Sequence, residues 1–142
     1  MTKYVPGIII SSILLMLLLF LDQKIYGGIM PLNLLILLLS LHVIVYAHLM
    51  QRQKQRIRYV VFVCLFAVCA MLSLPKVTQQ AAEELALANY PLLITAKQSV
   101  PMEKSLNPFK PNRAYVFEGI DKEQQSIAVL VNPDTGDVHV LD

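Results

Sequence analysis

The sequence predicts a membrane α-helical protein of three transmembrane helices, followed by a small extracytoplasmic α+β domain in which one helix precedes a three-stranded antiparallel meander. Three observations predict it. Apolar residues make up 56% of the 142 and charged residues only 15%, where a soluble domain carries about a quarter charged. The charge is segregated: residues 1–75 hold six basic side chains and one acidic one, Asp22, for a net +5, while residues 76–142 hold six basic and nine acidic, for a net −3. The apolar residues of the first half also fall into three long runs. The boundary between a membrane anchor, 1–75, and a polar domain, 76–142, follows from that shift. No Lys/Arg cluster lies in a folded polar context, so nucleic acid is excluded as a partner.

The first run, Val5 to Leu21, contains no charge. The second runs from Ile29 to Met50, interrupted only by Pro31, Asn33, Ser40, His42 and His48, and the third from about Ile57 to Leu74 with Arg58 at its start. A spanning helix needs roughly 20 mostly apolar residues, with ~17 the lower end, and lipid leaves the backbone only helical hydrogen bonding. The first run is expected to be retained rather than cleaved, because Asp22-Gln23-Lys24-Ile25-Tyr26 is no small-residue cleavage site. Arg52, Lys54, Arg56 and Arg58 cluster between the second and third runs, against Lys24 offset by Asp22 between the first and second. The positive-inside rule therefore makes these four the topology-determining residues. It expects residues 51–56 and the N-terminus in the cytoplasm, and residues 22–28 and the tail from Lys76 outside.

Polar side chains at membrane depth are functional candidates. His42 lies near the middle of the second run, and Tyr46 follows one turn later on the same face, so the two can form a polar spot. The readings for His42 are a haem or metal ligand, a proton relay, or an interhelical hydrogen bond. The last is preferred, because no second ligand is evident at matching depth. His48 points elsewhere, beside the basic loop. Gly7 and Ser11, Ser40 and Ala47, and Ala67 and Ala70 are small residues suited to helix contacts. Cys64 and Cys69 sit five apart on one helix, too divergent to bridge, and read as small apolar residues. Asp22 and Lys24 are expected at the interface, with Gly27-Gly28 loosening the approach to the second helix and Pro31 in its first turn.

Pro75 closes the third run. From Lys76 to Asn89 the spacing of Val77, Ala81, Leu85 and Ala88 predicts an amphipathic helix, which Thr78 can cap and Tyr90-Pro91 ends. Leu92 to Ala96 suits a short extended segment. Gln98 to Asn112, with prolines at 101, 108 and 111, reads as an irregular loop. The strands of the meander are Ala114–Ile120, Ser126–Val131 and Val138–Leu141, joined by turns at 121–124 and 132–136. Ile127, Val129 and Val131 share one face and are expected to pack on the helix. The outer face, around Tyr115, Phe117 and His139, and the edge strand 138–141 form the candidate docking surface.

The phrase Val129-Leu130-Val131-Asn132-Pro133-Asp134-Thr135-Gly136-Asp137-Val138, following a helix, resembles a PepSY module. The likeness covers residues 76–142 only, and its distinctive part is about ten residues. Asn132 stands where that family often has aspartate, and the loop from 98 to 112 is long for it. The resemblance implies an extracytoplasmic module that interacts with or regulates proteins, including some peptidases. It brings no catalytic residue with it.

No phosphate-binding glycine loop, metal-type Cys/His spacing or His-Glu-x-x-His element occurs in the chain. Ser99, Ser105 and Ser126 lack a nucleophile context. Glu83 and Glu84 diverge on their helix, His139 has no partner, and Asp134 and Asp137 are explained as turn residues. The expectation is therefore no catalysis, no cofactor and no metal. It is a non-enzymatic accessory or regulatory protein of the bacterial cytoplasmic (inner) membrane, partnered by the lipid bilayer and by another integral membrane protein or itself. An oligomeric channel or transporter subunit lined by His42 and Tyr46, an intramembrane haem protein, and an immunity or defence protein are the alternatives.

Overall fold

The computed structural model describes residues 3–49, 56–102 and 107–141. Among them lie four helices, α1 (Val5–Lys24), α2 (Leu32–Leu49), α3 (Arg56–Leu72) and α4 (Gln79–Asn89). Four strands follow, β1 (Leu93–Pro101), β2 (Arg113–Ile120), β3 (Ser126–Val131) and β4 (Val138–Leu141). Of the four basic residues expected to set the topology, Arg56 and Arg58 open α3, whereas Arg52 and Lys54 lie outside the described residues.

Two helices, α1 and α2, are long and apolar enough to cross a membrane. At 1.5 Å per residue the 20 residues of α1 reach about 30 Å and the 18 of α2 about 27 Å. Pro6 sits in the first turn of α1, where its missing N–H is of no consequence. Gly7 and Ser11 form the buried face of α1. A Cβ on Gly7 would stand 3.2 Å from the Tyr46 side chain, so the small residue sets the close approach of α1 to α2. Ala47 is buried too, while Ser40 is exposed, donates back to the Ile36 carbonyl at 2.9 Å and lines a groove between α1 and α2 with Ser11 and Ser12. α3 packs on α2 and has no buried residue.

The turn between α1 and α2 is tightly built. Gly27 and Gly28 both have positive φ, 59° and 81°, a conformation that costs a residue with a Cβ about 1–2 kcal/mol. Asp22 organises the turn: its carbonyl accepts from Gly28 N–H at 3.0 Å, and its carboxylate accepts from Met30 N–H at 2.9 Å. Asp22, near the end of α1, is buried within the protein, its carboxylate satisfying a backbone donor inside the turn. The same turn delivers Ile29, fully buried, and Tyr26 into the core of the C-terminal module. Ile25 O accepts from Gln79 N–H at 2.9 Å, and Gly27 abuts the Gln79 side chain. The α1–α2 turn and the module are thus joined through the start of α4 as well as through the chain.

α4 is capped as expected, Thr78 Oγ1 accepting from Ala81 N–H at 3.2 Å. Its buried face is Ala82 and Ala86 with Leu85 partly covered, and Ala88 is exposed. The helix is therefore rotated from the expected Ala81–Ala88 stripe.

The sheet corrects the expected three-stranded meander. It has four antiparallel strands in the order β1-β2-β3-β4. Residues 93–101 pair with β2, Val100 opposite Ala114 and Pro101 opposite Arg113. As β1 is an edge strand, Pro101 at its end forfeits no ladder bond, which is why a proline there did not stop the strand. Its register shifts between Ile94 and Ala96, next to Gly119.

Register also corrects the candidate docking surface. Tyr115 lies opposite Val131 and Phe117 opposite Val129, and directly opposed residues share a face. Both rings, each 1% exposed, consequently point into the core with Val129, Val131, Ala82, Ala86 and Leu92. Burial, with Tyr26 and Asp22 behind it, pushes the Tyr115 phenol well above its ordinary range, and it stays protonated to donate to Val77 O at 3.1 Å. His139, opposite Leu130, is on the other face and exposed. The turn after β3 follows its sequence: Asn132 O accepts from Gly136 N–H at 2.8 Å, with Gly136 at φ 80°.

Candidate functional site

The buried polar cluster of the helical half is built around His42. α2 places it on the face that carries Leu35 and Leu39, all three buried. Its Nδ1 lies 2.8 Å from Ser11 Oγ of α1, and its Nε2 lies 2.9 Å from the Tyr59 hydroxyl of α3. One side chain therefore bonds to both neighbouring helices. Tyr46 is close, its ring centroid 6.1 Å from that of His42, but the contact is between rings. Tyr46 packs edge-on against Tyr59 at 5.6 Å, and Phe62 stacks on the imidazole at 6.2 Å, both within the range of favourable aromatic pairs.

The Ser11 hydroxyl also reaches Leu39 O at 3.2 Å. In the tautomer with Nδ1 protonated, Ser11 Oγ accepts from Nδ1–H and Nε2 accepts from Tyr59 O–H; in the other, Ser11 donates to Nδ1 and Nε2–H donates to Tyr59. Either way one connected set links Tyr59, His42, Ser11 and the Leu39 carbonyl. It satisfies every member, and no buried side-chain polar atom among the described residues lacks a partner. Both ring nitrogens are engaged within the protein, so His42 must give up one of these bonds before it can ligate a metal. Among the described residues no three His, Cys, Asp or Glu side chains converge. The arrangement links α1, α2 and α3 through one imidazole.

The interhelical hydrogen bond preferred for His42 is present twice over, to Ser11 and to Tyr59, whereas Tyr46 meets His42 ring to ring. Ser11 was read as a small packing residue and Tyr59 not at all. No spacing in the sequence pairs either residue with His42; the packing of α1 and α3 on α2 brings them together. Cys64 and Cys69 are both free, the first exposed.

A second polar centre lies in the module. Asp134 in the β3–β4 turn receives Lys110 at 2.8 Å and Lys76 at 2.9 Å. Those hydrogen bonds, Lys110 first, hold its carboxyl below the usual range. Lys76 comes from the α3–α4 link and Lys110 from the β1–β2 connection, so one carboxylate ties three segments. Asp137 is engaged by the Thr135 hydroxyl at 2.5 Å.

No family model, curated protein or solved structure matches this chain.

Proposed function

We propose that the chain is a non-enzymatic accessory or regulatory protein of a bacterial cytoplasmic membrane. In this reading α1, α2 and α3 all span the bilayer, the N-terminus is cytoplasmic, and the C-terminal module stands outside. The observation that carries the reading is the union of a helical anchor with a folded module through Ile29 and Tyr26. A module so held has a fixed attitude to the membrane, which suits presentation to a partner better than tethering on a free linker. Two facts favour lipid around the helices. Only 17% and 22% of the apolar windows of α1 and α2 are buried, whereas the core helix of a soluble protein hides most of its length. α3 exposes Val60, Val61, Leu65, Val68 and Met71, a face open to lipid or to the helices of a second membrane protein.

With Tyr115 and Phe117 in the core, the docking surface outside the membrane contracts to the face around His139 and the open edges β1 and β4. Unpaired edges accept an added strand. The PepSY likeness is compatible with such a role and rests on the ten residues at the β3–β4 turn.

The test has two readouts. Cysteine at position 54 and cysteine at position 134 are labelled in intact cells with an impermeant maleimide, in a Cys64→Ser/Cys69→Ser background. Reaction at 134 and protection at 54 is expected, and the reverse pattern overturns the orientation. Affinity capture from mild detergent is expected to recover a stoichiometric membrane partner or a homo-oligomer; a lone monomer counts against the accessory role.

A further inference from the structure

Between the start of α2 and the β1–β2 connection lies a cleft of about 530 Å³, within the size range of small-ligand sites. One wall is the opening turn of α2, with Leu32, Asn33 and Leu34, and the other carries Lys110, Asn112 and Arg113. No acidic residue lines it among the described residues. Lys110 shares Asp134 with Lys76, two cations on one carboxylate, which leaves that group net +1. Arg113 adds a second positive charge, and its guanidinium reaches only as far as Ser99 O, at 3.5 Å. Among the described residues, Lys76, Lys110, Asp134 and Arg113 together leave cleft and rim with a net charge of about +2 beside amide donors, the chemistry that recognises a phosphate ester.

The position of the cleft says which phosphate ester. Its α2 wall runs directly into the exposed apolar side chains Ile36, Leu37 and Leu41. A ligand with its phosphate between Arg113 and Asn33 has an apolar surface waiting along α2 for two hydrocarbon tails, and a small soluble anion would leave that surface unused. We infer that the cleft binds the headgroup of an anionic phospholipid, its acyl chains lying along α2. This rests on the reading that α2 spans the bilayer, which places the cleft at the boundary between headgroups and water.

The test is native mass spectrometry of the full-length protein in a zwitterionic detergent, with phosphatidylglycerol or phosphatidylcholine added at equal mole ratio. Phosphatidylglycerol adducts are expected to dominate. Arg113→Gln is expected to lower them about fivefold, the factor equivalent to about 1 kcal/mol for one cation facing anionic headgroups. Arg113→Lys retains them, and Lys122→Gln, in the β2–β3 turn away from the cleft, leaves them unchanged. Equal binding of the two lipids, or unaltered binding by Arg113→Gln, overturns the inference. Displacement of the lipid by millimolar inorganic phosphate overturns it in favour of a soluble anion. Carbonate extraction of membranes separates the two levels of failure. A protein released into the supernatant sinks the spanning reading itself, whereas one that stays in the membrane but shows no lipid preference sinks only the cleft assignment.

Discussion

Truncating Ile29 to alanine tests whether the turn between α1 and α2 is part of the module's core. Ile29 is fully buried within a cluster that includes Ala82, Ala86, Tyr115 and Phe117. The change removes three carbons, about 2.4 kcal/mol at roughly 0.8 kcal/mol each. A residual cavity brings the expected loss to about 3 kcal/mol, inside the 2–5 kcal/mol range of such truncations. Every 1.36 kcal/mol is tenfold, so the opening equilibrium of the module should rise about 150-fold. Hydrogen exchange in detergent micelles reads this directly. Amides of α4, β2 and β3 whose exchange requires opening of the module should lose about two orders of magnitude of protection, while those in the middle of α1 and α2 hold theirs. Leu93→Ala is the control, since Leu93 is 72% exposed and surface substitutions stay within about 0.5 kcal/mol. If Ile29→Ala changes protection no more than Leu93→Ala does, the turn is not a core element and the fixed attitude of the module is refuted.

Three further outcomes are expected. A Cβ on Gly119 would stand 2.5 Å from the Leu93 carbonyl oxygen and from a Leu92 methyl, so Gly119→Ala must displace backbone; an overpacking loss of about 1–3 kcal/mol should appear as a lower melting temperature. The carboxyl of Asp134 is depressed by Lys110 and Lys76. Its contribution to stability is therefore full above the unfolded-state pKa, near the ordinary 3.8, and is lost as pH falls through the lower folded value; Asp134→Asn should flatten this part of the acid limb in a melting-temperature series. A double-mutant cycle of His42→Phe with Tyr59→Phe should give a coupling of about 0.6 kcal/mol and at most about 1.7 kcal/mol, the range for hydrogen bonds between helices in membranes, measured by denaturant titration in micelles; zero coupling would remove the Nε2–Tyr59 bond.

The elements whose identity depends on local pattern were legible. The long apolar runs, the Thr78 cap, the stop at Tyr90-Pro91 and the turn at Asn132–Gly136 are read from a few adjacent residues, because each is satisfied by bonds within a few positions. β1 was only half legible. Gln98 to Pro101 lacks alternation and ends on proline, and only the pairing partner β2 makes it a strand. His42 was visible as a polar residue at depth, but its partners Ser11 and Tyr59 are 31 and 17 positions away, and no spacing rule connects them.

Composition alone determined the apolar character of the first half, since the free energy of placing side chains in water or hydrocarbon is nearly a sum over residues. Tertiary structure alone decided which face of β2 is inside, that Ile29 belongs to the module and that Asp22 is buried. These depend on strand register and on the docking of one segment against another, where a shift of one residue moves a side chain from solvent to core.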